Sequence, residues 1–210
     1  MQRIRAQLRH HSWVPAEPIL IEGLTEHLEE HLGAIVGEWD TDPDGNELPF
    51  RIVHYEGKSP AGTEIFSTLG LSDYELSDVG ARIELLMIAP LGLTAGAIPP
   101  ILVAAGEMPI EADDVPQLGD TFASIEPLRE VSPMDYLYVG RPLYQPPHFN
   151  PFDNGFAQVL FLWLIPIYAN EAEFIEAEGW KAFEQMMWDL DVDPTDFVRD
   201  PWLDELDGLE

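Results

Sequence analysis

The run Val159–Tyr168, VLFLWLIPIY, carries no charge along its length. A bilayer-spanning helix needs ~20 apolar residues, so this run is too short to cross a membrane. It is also too apolar to lie on a protein surface. It therefore reads as a strand buried on both faces, with Ala157–Tyr168 as the expected span. A second run, Ala81–Ala89 (ARIELLMIA), uncharged over most of its length, is expected to be another interior strand of the same sheet. After Pro166 the pattern changes to a Glu-rich helix, expected over Glu171–Leu190 with Phe174, Trp180, Phe183 and Met187 turned inward.

Around these segments the chain shows a mixed order of elements. Leu20, Leu24, Leu28 and Leu32 recur at four-residue spacing, which predicts an amphipathic helix ending near Gly33. Asp40–Asn46 (DTDPDGN) is a turn cluster, followed by expected strands at Leu48–Tyr55 and Glu64–Leu69. Gly70–Gly80 reads as a loop. Pro99-Pro100 can open a short helix through Glu107, which Pro109 is expected to stop. Further strands are expected at Thr121–Ile125 and Met134–Val139. Arg141–Asn154 holds four prolines and reads as an extended surface connection. The fold class expected is α+β, a mixed β-sheet sandwiched by helices. The organisation expected is a leader over 1–16, one domain over 17–200 and an acidic tail over 201–210.

Composition narrows the function. The 210 residues contain no cysteine, which excludes disulfides and Cys-based zinc sites. Formal net charge is −29, from 39 acids against 10 Lys and Arg. Such a surface repels phosphates, so nucleic-acid binding is not expected, and a basic protein partner is. Arg3, Arg5 and Arg9 precede no apolar stretch, so the start does not read as a signal peptide. A cytoplasmic protein without a membrane partner is the expectation.

Several landmarks together are similar to the suppressor of fused family. These are Leu32-Gly33 closing the first helix, Gly70-Leu71-Ser72-Asp73 after a strand, and Arg82, Glu84 and Leu85 in the next strand. Pro166-Ile167, Glu178-Gly179 and Arg199 follow toward the C-terminus. The resemblance spans about residues 20–200. It implies an α/β sandwich that binds protein. The eukaryotic relative holds a transcription factor through a short peptide. Bacterial stand-alone members look like immunity proteins that neutralise toxin domains, often nucleases, and the length here resembles theirs.

The residues themselves offer three groups of candidates. Asp73, Tyr74, Glu75 and Asp78 crowd one loop between strands, where a rigid scaffold can present them to a basic partner. Asp40, Asp42 and Asp44 crowd another. These three with Gly45 resemble half a calcium loop, but the twelfth position falls on Arg51, where a bidentate Glu is needed. His27, Glu30 and His31 have the H-x-x-E-H spacing of some zinc peptidases. No third ligand is evident, and the bland reading places both histidines on a solvated helix face. Arg82 and Glu84 lie two apart on one strand face and are expected as a partly exposed pair. Trp39, Tyr74, Tyr144 and Phe149 flank loops and are candidate anchors.

The reading is a protein-binding immunity protein facing a basic toxin domain, with no catalytic residues, no metal and no cofactor. One alternative is a metal-dependent hydrolase using His27, Glu30 and His31. Another is an acidic nucleic-acid mimic, for which Glu171, Glu173, Glu176 and Glu178 give partly regular spacing.

Overall fold

A computed structural model describes residues 21–202 apart from 43, 77–79, 94–95 and 124. The expected leader, and the tail beyond 202, lie outside the described residues. Helix α1 (Leu24–Leu32) leads into β1 (Gly33–Thr41), β2 (Glu47–Gly57) and β3 (Thr63–Leu69). After a 3-10 turn at Leu71–Asp73 come β4 (Arg82–Pro90), α2 (Ile98–Ala112), β5 (Thr121–Ala123) and β6 (Tyr136–Gly140). The chain closes with β7 (Phe152–Asp153), β8 (Gln158–Ile167), α3 (Ala169–Glu178) and α4 (Trp180–Asp189).

The strands form one mixed sheet in the order β1-β2-β3-β4-β8-β6-β5, with β7 paired to β8. Only β4 and β8 run parallel among these pairs, and they set Leu85 opposite Leu162. Alternation along the two strands serves two cores. Leu86 and Ile88 of β4 join Phe161, Trp163 and Ile165 of β8 under α1, α3 and α4. Ile83, Leu85 and Met87 join Leu162 and Leu164 under α2. Buried on both sides, these strands need long apolar runs, which the sequence supplies from Val159 onward in β8 and from Leu85 to Ala89 in β4. The α+β sandwich is therefore the observed class.

Three elements depart from expectation. Strand β1 was not foreseen. It forms because Gly33 turns the chain at φ 109° directly out of α1, where a Cβ would lie 2.1 Å from the Glu56 carbonyl oxygen. Pro109 does not stop α2. Leu102, Ala105 and Pro109 are all buried, and their packing outweighs the missing amide hydrogen bond. The long final helix is two helices. Gly179, at φ 89° and ψ 155°, breaks it and lets Phe183 and Met187 of α4 reach the core beside Ile175 of α3.

Candidate binding site

Register gathers several loops at one end of the sheet. The β1–β2 turn, the turn after β3, and the starts of β4 and β8 all lie there. The Tyr74 hydroxyl donates to the Pro49 carbonyl at 2.8 Å and ties the second of these loops to β2.

The Gly70–Asp73 turn is built on two buried side chains of β4. Glu84 is fully buried. It accepts from the Gly70 amide at 2.9 Å, the Ser72 amide at 3.1 Å and the Ser72 hydroxyl at 2.7 Å, and from the Thr68 hydroxyl. Burial pushes its carboxyl up from the ordinary value, against the pull of these donors. Arg82 donates from Nη1 to the carbonyls of Ser72 at 2.7 Å and Asp73 at 3.2 Å, and from Nη2 to Glu75 at 2.6 Å. The expected partly exposed Arg82–Glu84 pair is thus incorrect. The two residues do share a strand face, but the turn folds over it, and each holds the turn instead of the other.

This changes the standing of the loop candidates. Tyr74 is 8% exposed and packs in the α2 core, so it is no surface anchor. Asp73 is half-buried, and burial raises its pKa, countered by Arg82 and Arg51. Glu75 stays exposed, with 62% of its side chain open, and pairs with Arg82. Asp78 lies outside the described residues. In the β1–β2 turn, Asp42 accepts from the Asp44 amide at 3.0 Å and from the Asn46 amide and side chain at 2.7 Å. The Asn46 side chain first, then its amide, lowers the Asp42 pKa. Asp42 holds its turn, while Asp40 and Asp44 point to solvent.

Beside Glu75 opens a cavity of about 760 Å³ that the sequence did not reveal. Its apolar surface includes Phe156, 99% exposed, and Leu160, 37% exposed. Glu22 and Glu75 supply the acids, and the cation, Arg82, is committed to the turn. Asn154 ties the parts together: its side-chain amide donates to the Glu22 carbonyl at 2.9 Å, and its oxygen accepts from Ala157 at 2.9 Å. A lone Phe after Asp153-Asn154-Gly155 was the available signal, an apolar residue at a turn tip.

Other candidates are placed elsewhere. His27 and His31 do not sit on a solvated face. His31 is buried, and His27 stacks with Phe149 and Phe161 at ring distances of 5.5 and 5.7 Å. His27 donates from Nε2 to the Phe149 carbonyl, and His31 from Nδ1 to the His27 carbonyl, both at 2.8 Å. Glu30 is exposed. Among the described residues no group of three or more His, Asp or Glu is arranged to hold a metal ion. Phe149, expected at the surface, is fully buried, because the proline-rich connection folds its apolar residue under α1. Tyr144 is 48% exposed, edge-on to Trp163 at 5.5 Å, and Trp39 is half-buried near Phe66. Glu171 is sealed in a two-pronged pair with Arg199, both contacts at 2.6 Å, so it cannot mimic a phosphate; Glu173, Glu176 and Glu178 are exposed. Among the described residues no helix is long and apolar enough to cross a membrane.

No curated protein matches the chain. A suppressor of fused homologue from Neisseria gonorrhoeae aligns with TM-score 0.65 at 19% identity, over 84% of this chain and 93% of that one. The structure of a Sufu–Fu complex aligns with TM-score 0.62 at 14% identity, over 81% and 84%. Drosophila Suppressor of Fused aligns with TM-score 0.56 at 15% identity, over 77% of this chain and 46% of that one, so the chain spans about half its length. These likenesses concern the fold. The profile of the suppressor of fused protein (SUFU) family matches residues 46–200, and the chain belongs to that family.

Proposed function

We propose that this chain is a protein-binding module of the immunity type, acting in the cytoplasm on a basic toxin domain such as a nuclease. The observation that carries the reading is the acidic end of the sheet. There Glu22 and Glu75 border a cavity whose lip is an almost fully exposed Phe156. Long-range attraction brings a cationic partner to this end, and burial of Phe156 and Leu160 then holds it. Asp40 and Asp44 project at the same end and extend the negative field. Arg82 and Glu84 serve the site by keeping the turn that carries Glu75 rigid. A protein partner is also what the Sufu–Fu complex of the similar fold contains.

The test is co-expression with the basic toxin domain encoded nearest to the gene. Restored growth, and a purified complex whose association slows as salt rises, are the expected results. Failure to restore growth, or association indifferent to salt, overturns the reading.

A further inference from the structure

The connection between β6 and β7 lies over α1 as a strap. Phe149 is its plug, fully buried and stacked on Phe161 at 4.5 Å. Asn150 is its clip. Its side chain donates to the Phe161 carbonyl at 2.9 Å and accepts from the Phe161 amide at 3.1 Å. What lies between this strap and α1 is three imidazoles. His27 and His31 have ring centres 4.4 Å apart, and His148 of the strap stands edge-on to His31 at 5.1 Å.

We propose that His27, His31 and His148 form an acid-sensitive latch that fastens the strap to α1 near neutral pH and loosens it in acid. Histidine is the side chain whose ordinary pKa lies within this range. As neutral rings the three tolerate close contact, and two of them spend an N–H on a backbone carbonyl, one of those in the strap. A proton on His27 places its charge 4.4 Å from the His31 ring and among the rings of Phe149, Phe152 and Phe161.

The charged groups facing His27 are few. The hydrogen bond to the Phe149 carbonyl and Glu30 favour its protonation, while His31 on its own helix and His148 on the strap oppose it. Toward β7 and β8 it meets the rings of Phe152 and Phe161, at 5.0 and 5.7 Å. Burial is the largest influence, and it too favours the neutral ring. The closed strap therefore binds protons less readily than the open one, so acid favours opening. The strap also carries Leu143 and Tyr144, 60% and 48% exposed, so opening moves an apolar surface.

Amide hydrogen exchange of the full chain tests the latch, with each rate normalised to its intrinsic value at that pH. The reporter is the Phe161 amide, which bonds to Asn150 in the strap. The control is the Leu85 amide, bonded to the Thr68 hydroxyl at 2.9 Å on the other face. From pH 7.5 to 5.5, Phe161 protection is expected to fall about tenfold while Leu85 holds. In His148→Asn, a change at an exposed position, the fall is expected to shrink to about threefold or less. Constant Phe161 protection in the wild type overturns the latch. So does a parallel loss at Leu85, which marks global unfolding, and so does an undiminished response in His148→Asn.

Discussion

Glu84 accepts two hydrogen bonds from one residue, Ser72, through the amide at 3.1 Å and the hydroxyl at 2.7 Å. Both end on Oε1, which also takes the Gly70 amide. A carboxylate can accept at all these sites, whereas an amide side chain brings an NH2 group into a nest of donors. Glu84→Ala is expected to cost ~3–5 kcal/mol, because it leaves buried donors without an acceptor. Glu84→Gln is expected to cost ~1–3 kcal/mol. Urea unfolding measures both. A loss under ~1 kcal/mol in Glu84→Ala would remove the turn's dependence on this side chain.

Leu85 and Leu162 are register partners in the parallel β4–β8 pair and face the α2 core together. Each Leu→Ala change is expected to cost ~2–5 kcal/mol through lost burial and the remaining cavity. Because the two sites share one space, the double variant should differ from the sum of the singles by more than ~0.5 kcal/mol. Denaturant midpoints of the two singles and the double decide this, and strict additivity would argue against a shared cavity.

The interior strands were legible because burial on both faces leaves little room for charge: Val159–Tyr168 has none, and Ala81–Ala89 has only Arg82 and Glu84 at its start. Phe183 and Met187 were legible from helical spacing. What escaped depended on contacts between distant parts of the chain. His27 and His31 alternate with glutamates and look solvated, but the rings that cover them come from Phe149, Phe152 and Phe161. The prolines of 141–154 correctly excluded a long element, yet they concealed that Phe149 is a core residue. At the site, alternation placed Arg82 and Glu84 on one face and could not say that a turn would close over it. The cavity escaped for the same reason. Glu22, Glu75 and Phe156 lie far apart in sequence and meet only through the parallel β4–β8 pairing and the Asn154 contact to Glu22.

Arg199 closes the described chain onto the start of α3. Its guanidinium grips both oxygens of the fully buried Glu171, and Glu171 also accepts from the Tyr168 amide at 3.0 Å. Arg199→Met leaves that carboxylate buried without a counter-charge, and ~3–5 kcal/mol of stability is the expected loss. Arg199→Met combined with Glu171→Leu should recover part of it, since an apolar pair avoids the unpaired charge. Thermal or urea melts of the single and double variants test this. A double variant less stable than the single would point to the helix cap as the main role.

Burial first, then the neighbouring histidines, holds the His27 pKa below its ordinary value in the folded chain. The unfolded chain then binds the proton more readily, so folding releases it. His27's contribution is complete above about pH 6.5 and shrinks as pH falls below that point, until the folded ring also protonates. Unfolding free energy is therefore expected to decline from pH 7.5 to pH 5. His27→Gln, which keeps a side-chain N–H for the Phe149 carbonyl, should decline less steeply. Parallel pH curves for the two proteins would assign the decline to other groups.

Phe156 is 99% exposed and Glu22 is exposed at the same cavity, so neither contributes packing to the folded state. Phe156→Ala and Glu22→Lys are each expected to change stability by no more than ~0.5 kcal/mol. Glu75 is unsuited to this purpose, because it neutralises Arg82. Binding of the basic partner proposed above should respond in two different ways. Phe156→Ala removes an anchor and should raise the off-rate, with the on-rate little changed. Glu22→Lys should slow association and flatten its dependence on salt, because screening then has less attraction to weaken. Association and dissociation rates at two salt concentrations separate the effects, with a melting curve as the control for folding. If both variants bind like the wild type, the partner docks away from the cavity, and Asp40 and Asp44 on the β1–β2 turn become the residues to reverse.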